Sequence, residues 1–246
     1  MSLNTGFVNE KDLVKALNNK SYTDLNANLQ HFCLDMFENK LDTTPLIVSK
    51  ISGNSKPDIM ITHKNTTKYI SIKKGSGNSV HQEKIDVFVK FLESIGVSKS
   101  SINNLLLFHY GDDTTNDTGK IRYNARECEK RYSKEIEYLN RELNSQKILF
   151  DILDRVLFTG NVDEGQTVDY IYHGDLKHGI WASRDEIYKY FLRNKFNSKT
   201  VHFASLTYQV WGRNEKRTAV HPERRYVMQI KWSQILNDFE NIKVGR

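Results

Sequence analysis

Asp58, Lys73 and Glu83 are the residues whose types and spacing could do chemistry together. The run Asp58 to Thr62 reads as a strand and so does Lys68 to Lys74, with the polar turn Asn65-Thr66-Thr67 between them. Alternation puts Tyr69, Ser71 and Lys73 on one face and Ile70 and Ile72 on the other, while on the neighbouring strand Asp58, Met60 and Thr62 oppose Ile59 and Ile61. With the apolar faces in the core, a carboxylate at the start of one strand and a lysine near the end of the next project from the same polar face. Gly75-Ser76-Gly77-Asn78 then breaks the strand. Ser79 and Gln82 make a capping box before Val80, Ile85, Phe88, Phe91, Leu92 and Ile95, whose spacing predicts an amphipathic helix. Glu83 falls in its first turn, where the helix end favours a carboxylate with or without a catalytic role. Two carboxylates and a lysine on one sheet edge suit Mg2+. Hard oxygens hold the ion, a phosphate completes its shell, and the lysine steadies an attacking water or the developing charge.

These residues need a scaffold, and the flanking sequence supplies one. Asn9, Glu10, Asp12, Leu13, Val14 and Leu17 read as a capped helix, Thr23 starts another, and Leu46 to Ile51 is a short β-branched run. Leu105 to Tyr110 reads as a fourth strand. The order helix, three strands, helix, strand implies an α/β (α+β) fold, a mixed sheet flanked by helices. Beyond it, 122–157 reads as one long helix or two. A strand at Val168 to Tyr172 follows, then a helix from Ser183, strands at Val201 to Trp211 and Tyr226 to Trp232, and a last helix capped by Ser233. The simplest partition is a core over 1–118 and an α+β C-terminal region over 119–246.

Composition narrows the function classes. The chain has 246 residues, 36 Lys plus Arg against 30 Asp plus Glu, and only two cysteines, Cys33 and Cys128, with no zinc-type spacing. A disulfide framework and a zinc finger are disfavoured. Without a long apolar run, the expectation is a soluble protein of the cytoplasm with no membrane partner. The glycine-rich loop lacks the lysine and spacing of a phosphate-binding loop, no GxSxG elbow is present, and His173, Asp175 and His178 read as surface residues around a turn rather than a second metal site. Residues 177–246 carry 14 Lys plus Arg against 6 Asp plus Glu, a net of +8, so the positive excess is confined to the C-terminal part and points to a polyanion. Within it, Arg213, Lys216, Arg217, Arg224 and Arg225 lie among Trp211 and Tyr226, a mix that can neutralise phosphates, read guanine and stack on bases. Lys74 and Asn78, beside the glycine-rich turn, are further candidates for DNA contact.

Lys56-Pro57-Asp58 followed by Ser71-Ile72-Lys73 resembles the PD-(D/E)XK nuclease superfamily, to which most type II restriction endonucleases belong, over about the first 110 residues. Its shared core has the same element order. Its motif carries an acid where this chain has Ser71. One branch of type II enzymes leaves Ser-x-Lys on the strand and supplies the carboxylate from the next helix, where Glu83 stands. The resemblance implies Asp58 and Glu83 as metal ligands with the carbonyl of Ile72, Lys73 as the catalytic lysine, and Glu10 as the acid contributed from the first helix. It further implies a Mg2+-dependent (or Mn2+-dependent) endonuclease of bacterial or phage origin that hydrolyses double-stranded DNA sequence-specifically. A homodimer would match the two-fold symmetry of its site. Two alternatives stay open: a DNA-binding module on a nuclease fold inactivated at Ser71, and a structure-selective repair or recombination nuclease.

Overall fold

The fold is taken from a computed structural model, which describes residues 5–53, 55–161, 165–213 and 220–245. In chain order the elements are α1 (Thr5–Leu17), α2 (Ala27–Met36), β1 (Ile47–Lys50), β2 (Ile59–His63), β3 (Thr66–Lys73), β4 (Asn78–Lys84), α3 (Ile85–Ser94) and α4 (Lys99–Tyr110). Then come α5 (Ala125–Arg131), α6 (Ser133–Leu143), α7 (Gln146–Leu153), β5 (Tyr170–His173), β6 (Ile180–Ser183), α8 (Arg184–Arg193), β7 (His202–Phe203), β8 (Leu206–Val210), β9 (Val227–Trp232) and α9 (Ile235–Val244). They form two compact units, each discontinuous in sequence: Met1–Asn78, Leu157–Tyr190 and Gln234–Arg246 make the first, and Ser79–Val156 with Phe191–Ser233 the second. No described helix is long and apolar enough to cross a membrane.

The first unit is built on a five-stranded mixed sheet in the order β1-β2-β3-β5-β6. β1, β2 and β3 pair antiparallel, β3 and β5 parallel, and β5 and β6 antiparallel. The β2 register sets Ile59 opposite Ile70 and Met60 opposite Tyr69, so one face gathers the apolar residues as alternation predicts. Val48, Ile59, Ile61, Ile70 and Ile72 pack there with Leu13, Leu17, Leu29, Phe32 and Met36 of α1 and α2. The ring of Phe32 lies 5.0 Å from that of Tyr172 and 5.2 Å from that of Trp181. Asn28 ties α2 to the β5–β6 connection by donating to the Gly179 carbonyl at 2.8 Å and accepting from the Tyr172 hydroxyl at 2.9 Å. A side chain at Gly179 would collide with that hydroxyl, so the close approach demands glycine. Cys33 is buried in this core and burial pushes its thiol up to about 12, which rules it out as a nucleophile at neutral pH.

The second unit holds a four-stranded sheet, β4-β9-β8-β7, and three of its elements differ from the sequence reading. Residues 80–95 are not one helix. Asn78–Lys84 is a strand with Ser79, Gln82 and Lys84 exposed and Val80, His81 and Glu83 buried, and the helix begins only at Ile85. Pairing with the sheet outcompetes the capping box that Ser79 and Gln82 would form. Leu105 to Tyr110 is helical: Ser98 caps α4, and its buried Ile102, Leu105, Phe108 and His109 recur at helical spacing until Gly111 ends it in a left-handed conformation (φ 61°). The strand expected to complete the first sheet is therefore β5, reached after the chain has contributed all of 79–156 to the second unit. The segment read as one or two long helices is three, α5 to α7, and Glu142 of α6 accepts from the Ser98 backbone at 2.7 Å and its hydroxyl at 2.6 Å, fastening α6 to the start of α4.

His109 is fully enclosed in this unit. Its Nε2 lies 2.8 Å from the Arg225 carbonyl, which can only accept, so Nε2 carries the proton and Nδ1 accepts from the Tyr208 hydroxyl at 2.6 Å. Burial pushes its pKa from 6.5 down to about 3. A folded value below the unfolded one means that the stabilisation is complete above about pH 6.5 and is lost as pH falls toward 3. His202 is pushed the same way by burial. We expect urea melts between about pH 6.5 and pH 5, above the carboxylate range, to lose stability at up to about 1.4 kcal/mol per pH unit for His109. His109→Gln should flatten the slope by one proton; an unaltered slope would show that another group carries it.

Candidate active site

The chemistry-bearing residues of the first unit meet at one end of β2 and β3. Pro57 is buried and needs no ladder hydrogen bond at the strand start. Asp58 follows it, its N–H donating to Ile70 at 2.8 Å and its carbonyl accepting from Ile51 at 3.0 Å. The alternation that sends Ile70 and Ile72 into the core turns Ser71 and Lys73 to the other face, toward Asp58. Asp58 Oδ2 accepts from the Ser71 hydroxyl at 3.1 Å and the Ile72 N–H at 2.5 Å. Lys73 Nζ donates to Ser71 Oγ at 2.8 Å and to the Ile72 carbonyl at 3.2 Å, and stands 3.5 Å from Asp58 Oδ2. Ser71, 2% exposed, thus relays a hydrogen bond from the ammonium to the carboxylate. The Lys73 and Asp58 side chains keep 17% and 25% of their surface, so the pair is sheltered yet open to a ligand.

The next strand over adds what the sequence reading left as surface. His173 is registered beside Lys73 in parallel pairing, and Gly174 N–H donates to the Lys73 carbonyl at 3.0 Å. Asn9 of α1 donates to Gly174 at 2.8 Å. His173 Nε2 is 3.0 Å from the Gly75 carbonyl, which also accepts from Asn78 Nδ2 at 2.7 Å. Asn78, expected to touch DNA, is buried and spends its amide closing the turn at Gly75 (φ 79°), while Lys74 is exposed on that turn. The sequence places His173 at a surface turn, and only the parallel pairing across a hundred residues sets it beside Lys73. Glu10 is not within the cluster's hydrogen bonds: it pairs with Lys50 Nζ at 2.6 Å, and Lys50 is registered opposite the core residue Ile59.

Four other candidates lie in the second unit, and they differ in how free their charge is. Glu83 sits on β4 rather than in a helical turn, with a side chain 1% exposed. Arg155 Nε and Nη2 grip its two oxygens at 3.0 and 2.7 Å, His81 Nε2 stands 2.8 Å from Oε1, and Arg155 lies over the Phe91 ring at 4.6 Å. Burial raises the Glu83 pKa, but the His81 and Arg155 partners outweigh it and the net shift is downward, so the carboxylate is ionised. Arg213 points inward: Nη1 donates to Cys128 Sγ at 2.9 Å, Nη2 to the Phe108 carbonyl, and the guanidinium covers the Phe108 ring. Arg225 is buried against Asp117 and Asp112. Arg224 stacks on Trp211 at 4.4 Å and is half-buried. Lys216 and Arg217 lie outside the described residues. Spacing and composition cannot separate an arginine that braces a loop from one that faces solvent.

As a cation site the first cluster offers Asp58 Oδ1, which takes none of the hydrogen bonds above, and the Ile72 carbonyl. Mg2+ keeps waters and takes one or two carboxylates plus substrate phosphates, so one carboxylate with one carbonyl fits it. Among the described residues no three His, Cys, Asp or Glu side chains form a metal cage.

No family model matches the chain, and no curated protein matches it. Among solved structures it is similar to the crystal structure of restriction endonuclease MspI in complex with its cognate DNA, with a TM-score of 0.53 and 12% identity over 92% of this chain and 88% of that one. Identity at that level speaks to architecture, and the similarity extends over the mixed α+β architecture with its two sheets. The chain has a restriction-endonuclease-like fold.

Proposed function

We propose that this protein is a Mg2+-dependent endonuclease that cleaves double-stranded DNA at a specific sequence, with Asp58, the Ile72 carbonyl and Lys73 as its working groups. The observation that carries the reading is the Asp58–Ser71–Lys73 hydrogen-bond chain at the sheet end of a restriction-endonuclease-like fold. The similar MspI structure contains cognate DNA, which favours duplex DNA as the substrate. When bound, the cation would supply Lewis-acid stabilisation and lower the pKa of a coordinated water. Asp58 Oδ1 and Ile72 O would hold it. Ser71 and the Ile72 N–H keep the Asp58 carboxylate turned toward it, and Lys73 places a positive charge where the phosphate gains negative charge. Attack by water leaves a 5′-phosphate and a 3′-hydroxyl. A two-fold dimer would present the cluster to both strands.

Incubating the purified protein with plasmid DNA tests this. Discrete fragments are expected with Mg2+, none with EDTA, and none with Asp58→Asn, which keeps the shape and removes the charge. An Asp58→Asn protein that cuts like wild type would overturn the assignment. Wild type that binds duplex DNA and never cuts would favour the inactive module, which Ser71 in place of an acid motivates; cutting confined to branched DNA would favour a repair nuclease.

A further inference from the structure

The second unit contains a groove of about 1100 Å3 that none of the site residues above lines. One wall is α5 and α6, which present Arg126, Lys130 and Arg141. The opposite wall is the end of α8 and the segment after it, with Arg193, Lys195 and Lys199. All six are exposed, and among the described residues only Arg141 is ion-paired, to Glu137 at 3.3 Å between two side chains about three-quarters exposed, which holds little. Glu137 and Glu129 are the groove's acids, so six cations face two anions. His202 at the base is neutral near pH 7, since burial lowers its pKa.

The walls are fixed to each other. Asn140 of α6 donates to the Thr200 carbonyl at 2.9 Å and accepts from the His202 N–H at 3.1 Å. Asn144 donates to the His202 carbonyl at 3.0 Å and accepts from the Ala204 N–H at 2.7 Å. Two buried or half-buried amides therefore rivet 200–204 to α6 and hold the lysine-bearing wall in place before any ligand arrives. Exposed cations on both sides of a preformed trough, spaced along it and outnumbering its acids, complement a row of phosphates better than a single anion. This part of the positive C-terminal excess faces solvent, whereas Arg213 and Arg225 turn inward.

We propose that this groove grips one phosphodiester strand of the DNA substrate, sequence-independently, as a binding surface additional to the Asp58 cluster. The inference rests on the nuclease reading for its substrate, but its test is separate. Affinity of the full-length protein for a labelled 30-base-pair-scale duplex would be measured in EDTA over about 50 to 200 mM salt, for wild type, for the triple change Arg193→Gln, Lys195→Gln, Lys199→Gln, and for Lys73→Met. With each phosphate contact contributing about 0.9 to the slope of log K against log salt, the triple change should reduce that slope by about 2 to 3 and weaken binding at least about tenfold at the middle of the range. An unchanged melting temperature excludes misfolding, and if the triple variant fails to fold, Arg126→Gln with Lys130→Gln on the other wall should reduce the slope by about 2. An unchanged slope in a folded variant overturns the proposal, as does loss of tripolyphosphate binding with DNA binding intact, which would make the groove a small-anion site. Failure of the nuclease reading would appear elsewhere, as Lys73→Met that still cuts.

Discussion

Lys73→Met is expected to slow phosphodiester cleavage by about a thousandfold, roughly 4 kcal/mol of transition-state stabilisation, while leaving the fold and most of the DNA affinity intact. Methionine retains an unbranched stem that reaches past Ser71 and removes the charge with its hydrogen-bond donors. In the ground state Nζ is committed to Ser71 Oγ and the Ile72 carbonyl, at 2.8 and 3.2 Å, and without it Ser71 still donates to Asp58. The lost contacts lie on a side chain 17% exposed, so water replaces them at little cost. In the transition state no such replacement exists, because the phosphate gains charge beside a position that a preorganised ammonium no longer fills. Single-turnover cleavage at saturating protein, read against melting temperature and DNA affinity, separates the cases. A rate within a few-fold of wild type would move the chemistry away from β3. A rate loss matched by equal loss of affinity would make Lys73 a binding residue rather than a catalytic one.

The part of this site that was legible in the sequence is the part held by adjacent strands. Asp58, Ser71 and Lys73 lie on two strands joined by a short turn, and period-two alternation alone assigns their faces, so local pattern and final geometry agree. Glu83 was misplaced because Ser79 and Gln82 carry a helix-start signal that sheet pairing overrides; the first true helical residue, Ile85, lies within the same apolar periodicity. Leu105 to Tyr110 was misplaced because a short apolar run looks the same in a strand and in a buried helix. The informative residues were outside it, Ser98 before and Gly111 after. His173 reads as a surface residue of a turn because its neighbour in space, Lys73, is a hundred positions away, and the 79–156 segment of the second unit lies between them. For the arginines the limit is of another kind. Arg213 and Arg225 have the composition of a DNA-facing loop, and nothing local tells that Cys128, Phe108, Asp112 and Asp117 wait for them inside.

Arg155→Met is expected to be the most destabilising single change among the residues discussed, by about 3 to 5 kcal/mol, and it bears directly on Glu83. The Glu83 carboxylate is 1% exposed and takes both guanidinium bonds of Arg155, so removing the arginine strands a buried charge with only His81 beside it. The remaining options are protonation of Glu83, protonation of His81, or unfolding, and each costs free energy at neutral pH. Because the partners hold the Glu83 pKa below its ordinary value, they stabilise the fold above the carboxylate range and lose that contribution as pH falls through it. In Arg155→Met the stability should instead improve on mild acidification, as the stranded carboxylate takes up a proton. Pairing it with Glu83→Gln should restore much of the loss, since the charge is removed together with its partner, and the two changes should be far from additive. Urea melts of the two single variants and the double variant give the coupling directly; additive losses would mean the pair does not carry the stability assigned to it. The folded Glu83→Gln protein then answers the catalytic question. Cleavage retained per folded molecule fits a carboxylate engaged with Arg155, whereas a folded protein that binds DNA and no longer cuts with Mg2+ would make Glu83 a metal ligand.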